Sequence, residues 1–143
     1  MSVQNAKNHA RFHPPFHFVS APIALLTLIG AGVNLYEAWG ATTQYSASLI
    51  FVLAFLVFMS IALSRLYALK VQDRVIRTEE NLRSYARTGA LLDSRLTIRQ
   101  IIGLRFASDE EYDALAARAI AESLSEKEIK AAITNWRADS YRV

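Results

Sequence analysis

The distribution of charge along the chain is the feature that most limits what it can fold into. The stretch 18–64 contains one formally charged residue, Glu37, whereas the sequence from Arg65 onward carries most of the lysine, arginine, aspartate and glutamate. Within the apolar stretch, the runs 18–36 and 46–64 each hold 19 residues without a formal charge. As a helix, each run spans roughly 28 Å, close to the hydrocarbon thickness of a bilayer. The sequence therefore predicts two transmembrane helices.

Two other interpretations of the apolar runs are open. Both runs could be buried helices of a water-soluble protein, because a core helix can have a similar composition. The first run could instead be a cleaved signal peptide, since Ala38-Trp39-Gly40 fits a small-x-small cleavage site. That run is longer than the usual signal core, and the preceding His13 to His17 segment is not a simple basic leader. A transmembrane hairpin is therefore the favoured interpretation.

Basic residues lie on one side of the two runs. None occurs in the connection 37–45, whereas Lys7 and Arg11 precede the first run and Arg65 opens a basic stretch after the second. Because lysine and arginine are retained on the cytosolic side, both termini are predicted to be cytosolic. The predicted organisation has four parts: a cytosolic arm (1–17), the first transmembrane helix and outer loop (18–45), the second helix with a cytosolic extension (46–92) and a C-terminal helical region (93–143).

Small and polar residues occur within both runs. The first run carries Gly30, Gly32 and Asn34, and the second carries Ser60 and Ser64 at small-xxx-small spacing. Small side chains let helix backbones approach closely in lipid, and an asparagine can form hydrogen bonds across such a contact. These residues are predicted to pack either inside the hairpin or against another subunit.

The predicted extension of the second helix carries a narrow apolar seam. Its members recur at alternating three- and four-residue steps: Ala68, Val71, Val75, Thr78, Leu82 and Tyr85. Glu79 and Arg83 are expected to pair along the helix, and Gly89 is the expected end of the helix. A seam this thin needs a partner, which is either this chain's own C-terminal helices or a second copy in a coiled coil.

The C-terminal region contains three helix-start signals of the same kind. Each is a capping box, in which a hydroxyl and a side chain three residues on satisfy each other's backbone amides: Thr97 with Gln100, Ser108 with Glu111, and Ser125 with Glu128. Apolar residues follow each box at helical spacing. Three short amphipathic helices are therefore predicted, with Trp136 as a core residue rather than a ligand-stacking one.

Several functional classes find no support in the residues. The chain has no cysteine, which excludes disulfides and thiolate chemistry. The acidic cluster at 109–113 is explained by the favourable position of negative charge in the first turn of a helix. No phosphate-binding glycine loop or catalytic triad order is present, so neither an enzyme nor a cofactor is predicted. The arginines are interleaved with acids or lie near the inner interface, so lipid is the expected partner and nucleic acid is not.

Three histidines lie close together before the first run. His9, His13 and His17 are spaced by four residues, so on one helix they would share a face and could hold a transition metal or haem. Pro14 and Pro15 interrupt such a helix, so the three rings cannot be assumed to converge. The favoured interpretation is an ordered interfacial arm, and a metal site is the alternative.

Both ends of the chain resemble a known protein family. The segments that carry the resemblance are 8–17, 98–110, 129–130, 136–139 and 142–143. They are similar to a family of small bacterial two-span membrane proteins known only as a domain of unknown function. The resemblance implies a bacterial cytoplasmic membrane and supplies no activity.

These observations together predict an all-α membrane protein: a two-helix transmembrane hairpin, a second helix extended into the cytosol, and three short amphipathic helices. The predicted function is that of a non-enzymatic interaction protein. It would be an accessory subunit of a larger membrane complex or a self-associating scaffold. The alternative function is metal or haem binding through the histidines.

Overall fold

A computed structural model describes residues 13–138, and the regular secondary structure of these residues is helical, with no β-strand. A π-helical segment, Pro15–Ser20, leads directly into the first α-helix. The α-helices are α1 (Ala21–Glu37), α2 (Gln44–Thr88), α3 (Ile98–Leu104), α4 (Asp109–Ala121) and α5 (Glu126–Ala132). The predicted all-α fold class is thus confirmed for the part of the chain that is described.

The chain divides into two compact units, with the boundary inside α2 between Leu69 and Lys70. Of the described residues, the hairpin unit comprises 13–69 and the C-terminal unit comprises 70–138. The helix α2 runs without interruption to Thr88, where Gly89 adopts φ 74° and donates its N–H to the Tyr85 carbonyl at 2.9 Å. Glycine tolerates this left-handed conformation, so the predicted end of the helix is confirmed.

Alanines at seven-residue intervals form the contact between the two helices of the hairpin unit. Ala24, Ala31 and Ala38 are buried on the first helix and at its end, and Ala47 and Ala54 are buried on the second. Seven residues are almost two helical turns, so each set lies along one face. A methyl group is small enough to let the two backbones approach closely.

The outer faces of the hairpin unit are apolar and exposed. Leu26 and Leu53, for example, are 67% and 63% exposed. Few of the residues in the most apolar stretch of either helix are buried, and both helices are long and apolar enough to cross a membrane. A core helix of a soluble protein would bury these side chains.

The C-terminal unit surrounds one apolar core. Its largest fully buried side chains come from α3, α4, α5 and the connections between them: Leu96, Ile101, Leu104, Phe106, Tyr112 and Ile129. Ile76 from α2 joins the same cluster. A Cβ on Gly103 would lie 3.1 Å from Ile129 and 3.2 Å from the Glu126 carbonyl oxygen, so glycine allows α3 and α5 to pack closely.

Two of the three predicted capping boxes are confirmed, and one prediction is wrong. Thr97 with Gln100 and Ser125 with Glu128 form complete boxes at the starts of α3 and α5. Ser108, at the start of α4, makes no side-chain cap bond. Its expected partner, Glu111, instead accepts the backbone N–H groups of residues 134 and 135, both at 3.0 Å.

A long-range contact explains this difference. The chain after α5 returns to the start of α4, where the Ser108 amide donates to the Asn135 carbonyl at 3.1 Å and the Arg137 amide donates to the Phe106 carbonyl at 2.7 Å. The returning segment brings backbone amides that need acceptors, and the charged Glu111 carboxylate is a strong one. Sequence spacing alone does not reveal that competition.

Candidate interaction surfaces

His13 and His17 lie together on the segment before α1. The His17 Nδ1 atom is 3.2 Å from the His13 backbone nitrogen and 3.0 Å from the His13 carbonyl oxygen, so this ring nitrogen contacts backbone. His9 lies outside the described residues. No cluster of three potential metal ligands occurs within residues 13–138. The three-histidine site therefore stays a prediction.

The small residues singled out in the first span do not share one environment. A Cβ on Gly32 would lie 3.6 Å from the Phe51 ring, so this glycine faces the second helix. A Cβ on Gly30 would meet nothing within 4 Å, and Asn34 is exposed. The buried alanines mark the contact between the two helices, and their seven-residue spacing was the signal in the sequence that could have identified it.

An apolar groove runs along one side of the hairpin unit. Its walls include Ile23 and Thr27 from α1, and Ile50, Leu53 and Val57 from α2. The Thr27 hydroxyl donates to the Ile23 carbonyl at 2.8 Å, so its polar group is satisfied within the helix.

Asn34, an exposed polar residue of α1, lies on the same side as this groove. Asn34 follows Thr27 by seven residues, with Gly30 between them at helical spacing, so the three share one flank of the helix. The Asn34 side chain forms no hydrogen bond among the described residues. The groove side therefore combines apolar walls, an open glycine and an available amide.

Ser60 and Ser64 lie on the exposed surface of α2 rather than in the hairpin contact. The Ser60 hydroxyl donates to the Leu56 carbonyl at 2.7 Å. A serine bonded in this way can face an apolar environment at little cost, because its polar group is already satisfied.

The seam on α2 is exposed. Val71, Val75, Leu82 and Tyr85 are between 48% and 67% exposed. The opposite face of the helix packs on the C-terminal unit, where Ile76, Glu80 and Ser84 are buried. The expectation that the chain's own C-terminal helices cover this seam is therefore wrong, because those helices use the other face.

An arginine cluster joins α2 to α4. Arg83 donates to the Asp109 carboxylate at 2.8 Å, to the Ala107 carbonyl at 2.7 Å and to Glu80 at 3.1 Å. Arg87 pairs with Asp113 in the same way. The expected pairing of Arg83 with Glu79 along the helix is not formed, and the acidic cluster serves as an anchor for α2 as well as favouring the helix start.

Tyr112 packs beneath the two guanidinium groups of this cluster. Arg83 and Arg87 lie 4.6 Å and 5.3 Å from the centre of its ring, within the range of cation–π attraction. Its hydroxyl is buried near Glu80 without a hydrogen bond of favourable geometry. Burial, together with the Glu80 carboxylate, raises the pKa of Tyr112, so the phenol is neutral.

The contact between Arg83 and Asp109 favours the ionised form of both groups. A hydrogen bond from Arg83 lowers the pKa of Asp109 despite some desolvation. Burial lowers the pKa of Arg83, but the hydrogen bond with Asp109 and the charge of Glu80 outweigh that effect and raise it. The ion pair of Arg83 with Asp109 therefore joins α2 to α4 as a structural contact.

Trp136 packs at the edge of the C-terminal core. Its ring centre is 5.1 Å from that of Phe106, and its backbone forms an isolated antiparallel bridge with Ala107. The side chain is half-buried. This position matches a packing role at the point where the returning segment meets α4.

The described residues thus define a class: an all-α protein with two helices long and apolar enough to cross a membrane and a small helical C-terminal unit. Residues 1–143 match the model of a family described as a family of unknown function (DUF6526). The chain belongs to that family. A search of curated proteins and a search of solved structures gave no match.

Proposed function

We propose that this chain is a two-span integral membrane protein without enzymatic activity that serves as an accessory subunit of a larger membrane complex. Its hairpin inserts into the bacterial cytoplasmic membrane, and both termini face the cytosol. The groove side of the hairpin binds transmembrane helices of the partner. The C-terminal unit then presents a folded surface at the cytosolic side.

The exposed apolar faces of the hairpin unit support membrane insertion. Large aliphatic and aromatic side chains make up most of the exposed surface of both helices within the apolar stretches. Soluble proteins rarely expose apolar patches of more than a few hundred Å². Lipid is the solvent in which such a surface is stable.

The ends of the two helices support the proposed orientation. Tyr36, Trp39 and Tyr45 are exposed around the short connection, where aromatic rings favour a membrane interface. Arg65 follows the apolar part of α2, with its guanidinium carbon 5.6 Å from the centre of the Phe16 ring. Cytosolic placement of Arg65 and the basic residues after it follows the positive-inside rule.

The single observation that carries the docking role is the position of Asn34 on the groove side. An amide that faces lipid loses hydrogen bonds that a partner helix can supply. Gly30, one turn away on the same flank, leaves space for a close helix approach. Ile50 and Leu53 form the opposite wall of the groove, so a third helix has contacts on both sides.

Purification from native membranes in a mild detergent tests this function. Wild-type chain should elute as a particle heavier than the chain with its detergent, together with another integral membrane protein. Asn34→Leu and Gly30→Leu should each reduce the yield of the partner, because they remove the amide or fill the approach space. Leu25→Phe adds bulk to the opposite side of α1, nine residues from Asn34, and should leave the yield unchanged.

A wild-type chain that purifies as a lone monomer with no accompanying protein would overturn the proposal. Equal partner yields from Asn34→Leu and Leu25→Phe would show that the groove side is not the docking surface.

A further inference from the structure

The exposed seam on the C-terminal part of α2 has no partner within the described chain. Val71, Val75, Thr78, Leu82 and Tyr85 follow one another at steps of four, three, four and three residues. This is the spacing of the a and d positions of a coiled coil, with Val75 and Leu82 at a and the other three at d. The Thr78 hydroxyl donates to the Arg74 carbonyl at 3.0 Å, so its methyl group is free to pack.

The heptad frame also places charges beside the seam. Arg74 occupies a g position, and Glu79 occupies the e position of the following heptad. In a parallel two-stranded coiled coil, a g residue of one helix faces the next e residue of the other. Arg74 of one chain would therefore face Glu79 of a second copy, and twofold symmetry would form this pair twice.

Both members of that pair are available. Arg74 and Glu79 are exposed, and neither side chain forms an ion pair among the described residues. Arg83 and Arg87, farther along the same helix, are already engaged with acids of α4. Arg74 and Glu79, which flank the seam, are thus available to a second copy.

The rest of the C-terminal unit leaves room for a second copy. Ile76, Glu80 and Ser84 point to the side of α2 that is covered by the chain's own core. At 100° per residue, that side is opposite the seam. The rest of the C-terminal unit and a helix of a second copy can therefore pack on opposite faces of α2 at the same time.

From these observations we infer that residues 71–85 form a parallel two-stranded coiled coil with a second copy of this chain. The inference rests on the membrane insertion proposed above, because two copies with the same orientation in one membrane present α2 in parallel. Confinement to the membrane raises the effective concentration of the two seams. Two heptads, which are too short to pair stably in dilute solution, can then associate.

Cysteine cross-linking in intact membranes tests the inference directly, because the full-length chain has no cysteine of its own. Leu82→Cys places a thiol in the seam. Leu91→Cys is a matched control, since both leucines are 67% exposed and Leu91 lies in the loop after α2. Oxidation should join the Leu82→Cys chains into a disulfide-linked dimer of twice the chain mass, with roughly tenfold less from the control.

Charge reversal in the Leu82→Cys chain then tests the register. Arg74→Glu and Glu79→Arg should each lower the dimer yield roughly tenfold, because two attractive pairs become repulsive. The double reversal should restore the yield, since the pairs are re-formed with their signs exchanged. A merely structural role of either residue would not produce this rescue.

Several outcomes would overturn the inference. Equal cross-linking of Leu82→Cys and Leu91→Cys would show that no second copy occupies the seam, and a product of another mass would assign the seam to a different protein. Single reversals without effect would exclude the parallel register. These failures are distinct from failure of the proposed function, which would show as recovery of the chain in the aqueous fraction or as a membrane-bound chain without another protein.

Discussion

Arg83 shows how one side chain can stabilise the junction of several segments. It reaches Glu80 on its own helix, the Ala107 carbonyl before α4 and the Asp109 carboxylate within α4, while its plane covers Tyr112. The side chain is 10% exposed. A guanidinium suits this position because its five donors can satisfy several acceptors at fixed angles, which lysine cannot do.

Replacement of Arg83 by methionine should destabilise the C-terminal unit by about 3 kcal/mol, because it leaves a buried carboxylate and a carbonyl without their donor. The free energy of unfolding, followed by circular dichroism in detergent with increasing denaturant, measures the loss. Arg95→Met is the control: Arg95 also pairs with an acid, Asp93, but its side chain is 72% exposed. That variant should leave the unfolding midpoint unchanged, and an equal effect of both substitutions would contradict the role given to Arg83.

The same junction predicts a loss of stability in acid. Asp109 has a lowered pKa in the folded chain, chiefly because of the hydrogen bond from Arg83, so folding favours its ionised form. The stability contributed by the ionised Asp109 carboxylate is present above its unfolded pKa of about 3.9. It is lost as the pH falls through the lower pKa that this carboxyl has in the folded chain. Unfolding midpoints measured between about pH 6 and pH 3 should therefore decrease. Asp109→Asn should show a shallower decrease, and an identical slope would contradict the assignment.

At the scale of helices, the features predicted correctly from the sequence are the helix ends that are set by contacts between residues close together in the chain. The helix starts at Thr97 and Ser125 and the end at Gly89 rest on bonds within a few residues, and all three are confirmed. The start at Ser108 was predicted with the wrong partner because Glu111 binds a segment more than 20 residues away. The prediction of which face of α2 is covered was wrong for a related reason. The arginine cluster joins residues that are far apart in the sequence, so local spacing does not reveal it. It holds the C-terminal unit against the opposite face of the helix.

The two residues of the failed capping box should therefore differ in their effects. Glu111→Ala removes two hydrogen bonds to backbone amides and should cost about 2 kcal/mol, because the returning segment loses its acceptor. Ser108→Ala removes no cap bond and should cost less than about 0.5 kcal/mol. Paired denaturation curves give both values. A larger loss of unfolding free energy from Ser108→Ala than from Glu111→Ala would instead support the predicted capping box between these two residues.

At the scale of the whole molecule, the two units have surfaces suited to different solvents. The hairpin unit buries alanines and exposes large apolar side chains, which inverts the arrangement of a soluble domain. The C-terminal unit buries large apolar side chains beneath a charged exterior, as a soluble domain does. Segregation of charge along the sequence was enough to predict this division. It could not predict the alanine contact, because in lipid the buried side of a helix is marked by size rather than by polarity.

Labelling from one side of the membrane separates the hairpin from its two alternatives. Cysteine introduced at Thr42, in the exposed connection between α1 and α2, should react with an impermeant maleimide added to intact spheroplasts, because the proposed orientation places this loop outside. Cysteine at Leu91 should react only after the membrane is opened, since the same proposal places the residues after the second span in the cytosol. A soluble protein would leave Thr42→Cys protected by the intact membrane. Signal-peptide cleavage at Ala38-Trp39-Gly40 would remove the first helix, so the labelled chain would have lost the mass of that segment.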